Sequence, residues 1–236
     1  MTDPYLPPQS PLAATESIDL ALAFKSVTAD PNWIRTCALV GVSFFVPIIG
    51  QMLHMGWQCR VFGQMRDGGG DTLPTVEFID DIQLGIAPFV AILNLAVPAG
   101  VLVSLTIVPG AIMNSIGEGG ALSVVGMLLS VVGFMLLTVI NLVSIAVVPE
   151  LLRRGLKGEM TPLLSFGPSI AAIRARPSQY ATVALGIFLA QMLGGLGVMA
   201  CYVGLIITAP AGLIVAAHII SQWDALVAPH HPAPAQ

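Results

Sequence analysis

Charge is what this sequence has least of. Nine Lys and Arg and 13 Asp and Glu make up 9% of 236 residues, where a soluble domain carries about 25%. A chain so poor in charge cannot cover a water-facing surface, which excludes an ordinary soluble fold. Nine basic residues also leave nucleic-acid binding without an electrostatic footing. Cysteine is scarce as well. Cys37, Cys59 and Cys201 are odd in number and sit in or beside apolar stretches, so they read as small buried hydrophobes and not as a disulfide framework. Residues Met1 to Thr15 hold neither a basic cluster nor an apolar segment, so no secretory signal peptide is expected there.

What the chain does have is apolar side chains, 56% of the residues, with a mean hydropathy of +0.87. These must face lipid. The expectation is an all-α polytopic membrane bundle over residues 16–224, between disordered ends at 1–15 and 225–236. A span of the roughly 30 Å hydrocarbon core takes about 20 apolar residues. Four segments meet that length: Leu84–Val108, Ala121–Val148, Tyr180 to about Ala200, and Gly204–Gln222. Helices close their own hydrogen bonds, as lipid requires, and the alternation of a barrel strand is absent.

The first apolar stretch, Thr36–Gln58, is ambiguous because Pro47 and Gly50 stand at its centre. Proline removes a donor and clashes with the preceding turn, and glycine weakens a helix further. It is one kinked span or a re-entrant hairpin. Basic residues favour the hairpin. The loop Pro149–Gln179 holds Arg153, Arg154, Lys157, Arg174 and Arg176, whereas the loop Pro109–Gly120 holds none. The positive-inside rule makes the basic loop and the C-terminus cytoplasmic. A hairpin then keeps Lys25 and Arg35 on that side too. Its turn should pack against protein, with Phe44 and Phe45 near it, since irregular backbone is tolerated at depth only where it is buried or lines a cavity. A short amphipathic helix is expected within Glu16–Thr28 and an interfacial helix near Leu164–Ile173. Trp33, Trp57, Tyr180 and Trp223 suit the interfacial belt.

Several motifs taken together resemble a known pattern. Asp30-Pro31-Asn32-Trp33 precedes an apolar run with a central Pro. Gly56 leads to Arg60, Leu73-Pro74 to an acidic loop and Gly85, and Ala216-Ala217-His218-Ile219-Ile220-Ser221-Gln222 closes the last helix. The set is similar to a family of prokaryotic multi-span membrane proteins known as a domain of unknown function. The resemblance covers residues 16 to 223 and departs where Trp57 stands in place of an expected Tyr. It extends more distantly to the membrane domains of some glycerophosphodiester phosphodiesterases. It implies a bundle in the prokaryotic cytoplasmic membrane and no particular activity.

No residues of catalytic type recur at working spacing, so a non-enzymatic chain without cofactor or bound metal is expected. Glu77, Asp80 and Asp81 read as a solvated loop, and Asp67-Gly68-Gly69-Gly70-Asp71 lacks the ending of a phosphate loop. The intramembrane polar residues are His54, Asn94, Asn141, Gln191 and His218. Solvated interfacial positions are expected for the histidines, and interhelical hydrogen bonds for Asn94, Asn141 and Gln191. Pro98-Ala99-Gly100 and Ala209-Pro210-Ala211-Gly212 supply the helix breaks of a carrier, yet coupling carboxylates are missing. Small faces at Ala96/Gly100/Ser104 and Gly186/Ala190/Gly194 suit close packing within the bundle or between copies. Arg153, Arg154, Lys157, Arg174 and Arg176 set topology and are candidates for docking lipid headgroups or a partner. Membrane lipids, a membrane-protein partner or a second copy are thus the expected company. The functional expectation is a lipid-interacting or scaffolding membrane module; the alternative is a small permease-like transporter.

Overall fold

The computed structural model describes residues 17–68, 72–117, 119–159, 166–200 and 203–227. The N-terminal 1–15 segment, most of the C-terminal tail, Cys201 and the Gly69–Gly70 part of the glycine-rich turn lie outside them. The described residues form an all-α bundle with four helices long and apolar enough to cross a membrane. The elements are α1 (Leu20–Lys25), α2 (Trp33–Val42), α3 (Ile49–Arg66), α4 (Phe78–Ile116), α5 (Ala121–Leu156), α6 (Gly167–Ala175), α7 (Pro177–Gly195) and α8 (Leu205–Val227). Helix α8 runs past the boundary at Asp224 that composition set for the disordered tail.

Helix α1 starts where the Asp19 carboxylate accepts the N–H of Leu22 at 2.9 Å, satisfying one of the free donors of a helix start. Helices α2 and α3 form a hairpin. His54 Nε2 lies 2.8 Å from the Val40 carbonyl, whereas fourteen residues of straight helix would separate them by about 21 Å. The turn carries Ile48 at φ 65 and ψ −64 with Ile49 N–H donating to Pro47 O at 2.7 Å, a γ-turn in a strained form. The expectation that protein covers this turn is overturned. Phe45, Val46, Ile48 and Ile49 are 47–60% exposed, and Phe44 alone turns in, stacking on His54 with centroids 5.7 Å apart. The reason lies in the backbone. Val46 N–H donates to Ser43 O and Gly50 N–H to Val46 O, each at 2.9 Å, so these donors are satisfied without cover.

Helix α4 continues through Pro88, Pro98 and Pro109, and α5 continues through Pro149. The loops expected at Pro109–Gly120 and from Pro149 therefore begin later, after Ile116 and Leu156. The breaks expected at Pro98–Gly100 and Pro210 are likewise helical. Neighbouring helices and local adjustment accommodate proline in a membrane helix better than in water. Helices α4 and α5 pair along their lengths. A Cβ on Gly126 would come 2.7 Å from Gly110 O, so the two backbones nearly touch.

The core gathers around α8, 72% of whose apolar stretch is buried, against 11% for α5. Ile214, Val215, Ala217, Ile219, Ile220 and Trp223 are fully enclosed. The small face of α7 packs here as expected, with Gly212 of α8 close against Ala190 O. The small face of α4 does not. Nothing lies within 4 Å of a Cβ on Gly100, and Ala96, Gly100 and Ser104 line an open groove.

Candidate functional site

The polar chemistry of the molecule collects at one end of the bundle, where α4 begins, α5 ends and Gly155 of α5 lies against Pro88 of α4. Two ion-pair clusters and one cavity occupy it.

In the first cluster Glu150, 4% exposed, receives Arg153 through Nε at 2.9 Å and Nη2 at 2.7 Å. Arg153 Nη1 then donates to Asp224 Oδ1 of α8 at 2.6 Å, and Lys157 Nζ donates to the same oxygen at 3.2 Å. Arg154 Nε reaches Glu150 at 3.4 Å and Glu159 at 3.9 Å. Trp223 Nε1 donates to Glu150 Oε2 at 3.4 Å, and Tyr180 meets the Trp223 ring edge-on with centroids 5.5 Å apart. Three carboxylates thus face three cations, and the cluster is internally neutral.

The second cluster joins α3 to α4. Arg60 Nε donates to Asp81 Oδ1 at 2.6 Å and its Nη1 lies 2.7 Å from Glu77 Oε1. Asp81 Oδ2 accepts the N–H of Glu77 at 2.8 Å, closing the start of α4 as a helix cap does. The hydrogen bond from Arg60, and after it one with Asp80, holds the Glu77 carboxyl below its ordinary value of 4.5. Gly56 allows the contact, because a Cβ there would collide with the Asp81 backbone, and a Cβ on Gly85 would strike Met52 O. Of the acidic residues expected in a solvated loop, Glu77 and Asp80 are exposed and Asp81 is not. Asp81 is fully buried because it is paired on both oxygens.

The aromatic belt needs the same correction. Trp57 and Trp223 are fully buried and Tyr180 is 3% exposed. Each lies near the polar end but points inward, where its polar atom finds a partner: Trp57 Nε1 on Pro74 O at 3.1 Å and Tyr180 Oη on Ala146 O at 2.7 Å. Trp33 is half-buried. Asp30 binds the segment before α4 by accepting the Leu73 N–H at 2.8 Å, and its other oxygen accepts the Asn32 N–H just ahead of α2 at 2.6 Å. The Asp30–Trp33 and Leu73-Pro74 motifs are thus two halves of one junction.

The histidines are buried, not solvated: His54 is 3% and His218 is 8% exposed. His54 has the Val40 carbonyl as partner. His218 has none. Its Nδ1 and Nε2 are the buried side-chain polar atoms left without a hydrogen bond among the described residues, a deficit worth about 1–3 kcal/mol. His218 stands in the wall of a cavity of about 350 Å³, with Leu22 and Lys25 of α1, Val61 and Met65 of α3, and Leu73. Asn141 bonds back to Leu137 O of its own helix at 2.8 Å and so makes no bridge of the kind expected. With Ser144 and Gln191 it lines a cleft of about 150 Å³ between α5 and α7. Asn94 is half-buried on α4. Arg174 and Arg176 are exposed around the end of α6, and Arg176 Nη1 donates to Gln179 Oε1 at 3.2 Å. No group of three or more His, Cys, Asp or Glu side chains suited to a metal ion occurs among the described residues.

Sequence reading placed the cations of the basic loop and His218 but missed Glu150 and Asp224 as partners of Arg153, Asp81 as the partner of Arg60, and Asp30 as the acceptor of the Leu73 N–H. The spacings of Glu150 to Arg153 and Arg154 were visible signals. The reach to Asp224, 71 positions away, carried none.

The family model described as Protein of unknown function (DUF4013) matches residues 39–216. No curated protein and no solved structure matches the chain, and the likeness to glycerophosphodiester phosphodiesterase membrane domains is not shown. The match spans most of the chain, and the protein belongs to this family.

Proposed function

We propose that this protein is a non-enzymatic module of the prokaryotic cytoplasmic membrane that holds anionic lipid at its basic, cytoplasmic end. The observation that carries the reading is the contrast between a filled bundle centre and a cationic rim. Trp57, Trp223 and the apolar residues of α8 pack as one buried core, which supports a filled bundle over a permease. Arg174 and Arg176 remain outside any ion pair among the described residues and exposed. Each cation at such a surface contributes about 1 kcal/mol of attraction to anionic headgroups. Arg153, Arg154 and Lys157 are engaged with carboxylates, so their part in the expected docking surface is smaller than sequence suggested.

Orientation is tested with single cysteines at Ser115 and Ser178, both exposed, in a background without Cys37, Cys59 and Cys201. Ser178 should label from the cytoplasmic side and Ser115 from the outer side. Lipid preference is tested in vesicles of equal phosphatidylglycerol and phosphatidylcholine. Phosphatidylglycerol should be enriched around the wild type and less so around Arg174→Gln/Arg176→Gln. Equal retention of the two lipids by all variants would overturn the reading.

A further inference from the structure

The cavity between α1, α3, the Leu73-Pro74 segment and α8 has three properties that belong together. It has room, about 350 Å³, within the range of small-ligand sites. It contains an unmet need, since His218 is more than nine-tenths buried and neither ring nitrogen has a partner. It offers a cation. Among the described residues Lys25 is the charged side chain on the lining and enters no ion pair, while the Asp19 carboxylate stands near enough to act on His218 and Asp30 accepts the N–H of the lining residue Leu73. Native structures seldom leave a buried polar group unsatisfied without a function or a bound molecule.

The position narrows the ligand. His218 lies one helical turn before Gln222, which exchanges hydrogen bonds with the backbone of Asp19 at 2.6 and 3.0 Å and so fastens the amphipathic α1 to α8. The cavity thus opens where the polar end of the bundle meets its apolar body. Polar Ser26 and Thr72 share its wall with apolar Leu22, Val61 and Met65.

We propose that this cavity binds a phosphate-bearing group. Lys25 supplies the countercharge, His218 supplies a hydrogen bond from the wall, and the apolar side holds the hydrocarbon next to the phosphate. The inference rests on the lipid-interacting reading above and gives it a defined site distinct from the exposed arginines. A lipid headgroup and a water-soluble phosphate ester share this chemistry.

The test uses the full chain in phosphatidylglycerol-containing nanodiscs, transferred to detergent and weighed by native mass spectrometry. The wild type should keep one phospholipid per chain. Lys25→Gln and His218→Leu should each reduce that fraction about tenfold, a larger loss than Arg174→Gln/Arg176→Gln causes, whereas Ser115→Ala, at an exposed position away from the cavity, should leave it unchanged. Lys25 sits on α1 at the edge of the bundle, so its variant remains informative if His218→Leu fails to fold. Thermal shifts of the delipidated protein with inorganic phosphate and with glycerol 3-phosphate distinguish the source. A shift that disappears in Lys25→Gln, with no lipid retained by the wild type, assigns the site to a soluble ester. Lipid retention that follows the arginine pair and ignores Lys25 overturns the cavity and leaves the surface reading standing. Retention indifferent to every variant, with no thermal shift, overturns both.

Discussion

Helices α5 and α8 invert the rule that governs soluble proteins. Helix α5 is the more apolar of the two, yet only 11% of its apolar stretch is buried, whereas 72% of that of α8 is. In water the most apolar helix would be innermost. Where the solvent is hydrocarbon, burying apolar surface yields no transfer energy. Packing, small residues and polar bonds then decide which helix lies at the centre. Helix α8 wins that place through Gly212, Gln222 and Asp224, each joined to another element. Helix α5 is tied to α6, α7 and α8 in its second half, and its first half meets α4, with Gly126 against Gly110 O and Ser123 Oγ donating to Asn114 Oδ1 at 2.8 Å.

The sharpest way to break this contrast is at Arg153. Replacing it with Leu strands Glu150 and Asp224 as buried, half-compensated charges, and removing one partner of such a pair costs about 3–5 kcal/mol. Arg153→Leu should therefore lower the midpoint of denaturant unfolding in detergent severely. Arg176→Leu should leave it nearly unchanged. A mild Arg153→Leu would mean that the ends of α5 and α8 are not held by charge.

Glycines give the next test. Gly56→Leu drives a side chain into the Asp81 backbone and should cost about 1–3 kcal/mol or more. Gly100→Leu enters open space on α4 and should be nearly neutral. Equal melting shifts in the two variants would show that α4 is covered along its groove by something the single chain does not supply.

The smallest effect concerns pH. The folded pKa of Glu77 is depressed by Arg60 and then by Asp80, so its contribution is present above the ordinary value of 4.5 and is lost as pH falls through the lower folded value. The stability difference between wild type and Glu77→Gln should be steady near neutral pH and shrink on acidification. Because Glu77 is half-exposed, solvent screening keeps the difference small. A difference that grows on acidification would reverse the assigned sign.

Much of the fold was legible. Run length gave the four spans, and Pro47 with the basic residues gave the α2–α3 hairpin. Proline misled elsewhere. Pro47 ends a helix, while Pro88, Pro98, Pro109 and Pro149 lie inside helices. Trp57 was misjudged because sequence gives depth along a helix but not which way the side chain faces when nearly every face is apolar. The cavity at His218 depends on α1, α3, the Leu73-Pro74 segment and α8 converging, which no local pattern encodes.

The long α4–α5 pair has one more consequence. The uncharged stretch from Ile82 to Gly117 would extend about 50 Å as a helix, against roughly 30 Å of hydrocarbon. Helix α7, at 19 residues and with only 28% of its apolar stretch buried, is about 28 Å and fits that thickness. One molecule therefore presents two hydrophobic lengths to the same bilayer. The α4–α5 side must lean, bend at its prolines or thicken the lipid beside it, each at a fraction of a kcal/mol per ångström of mismatch. Thickening makes the surrounding membrane a wedge, thick on one flank and ordinary on the other, and leaning makes bilayer thickness act on the tilt of this protein.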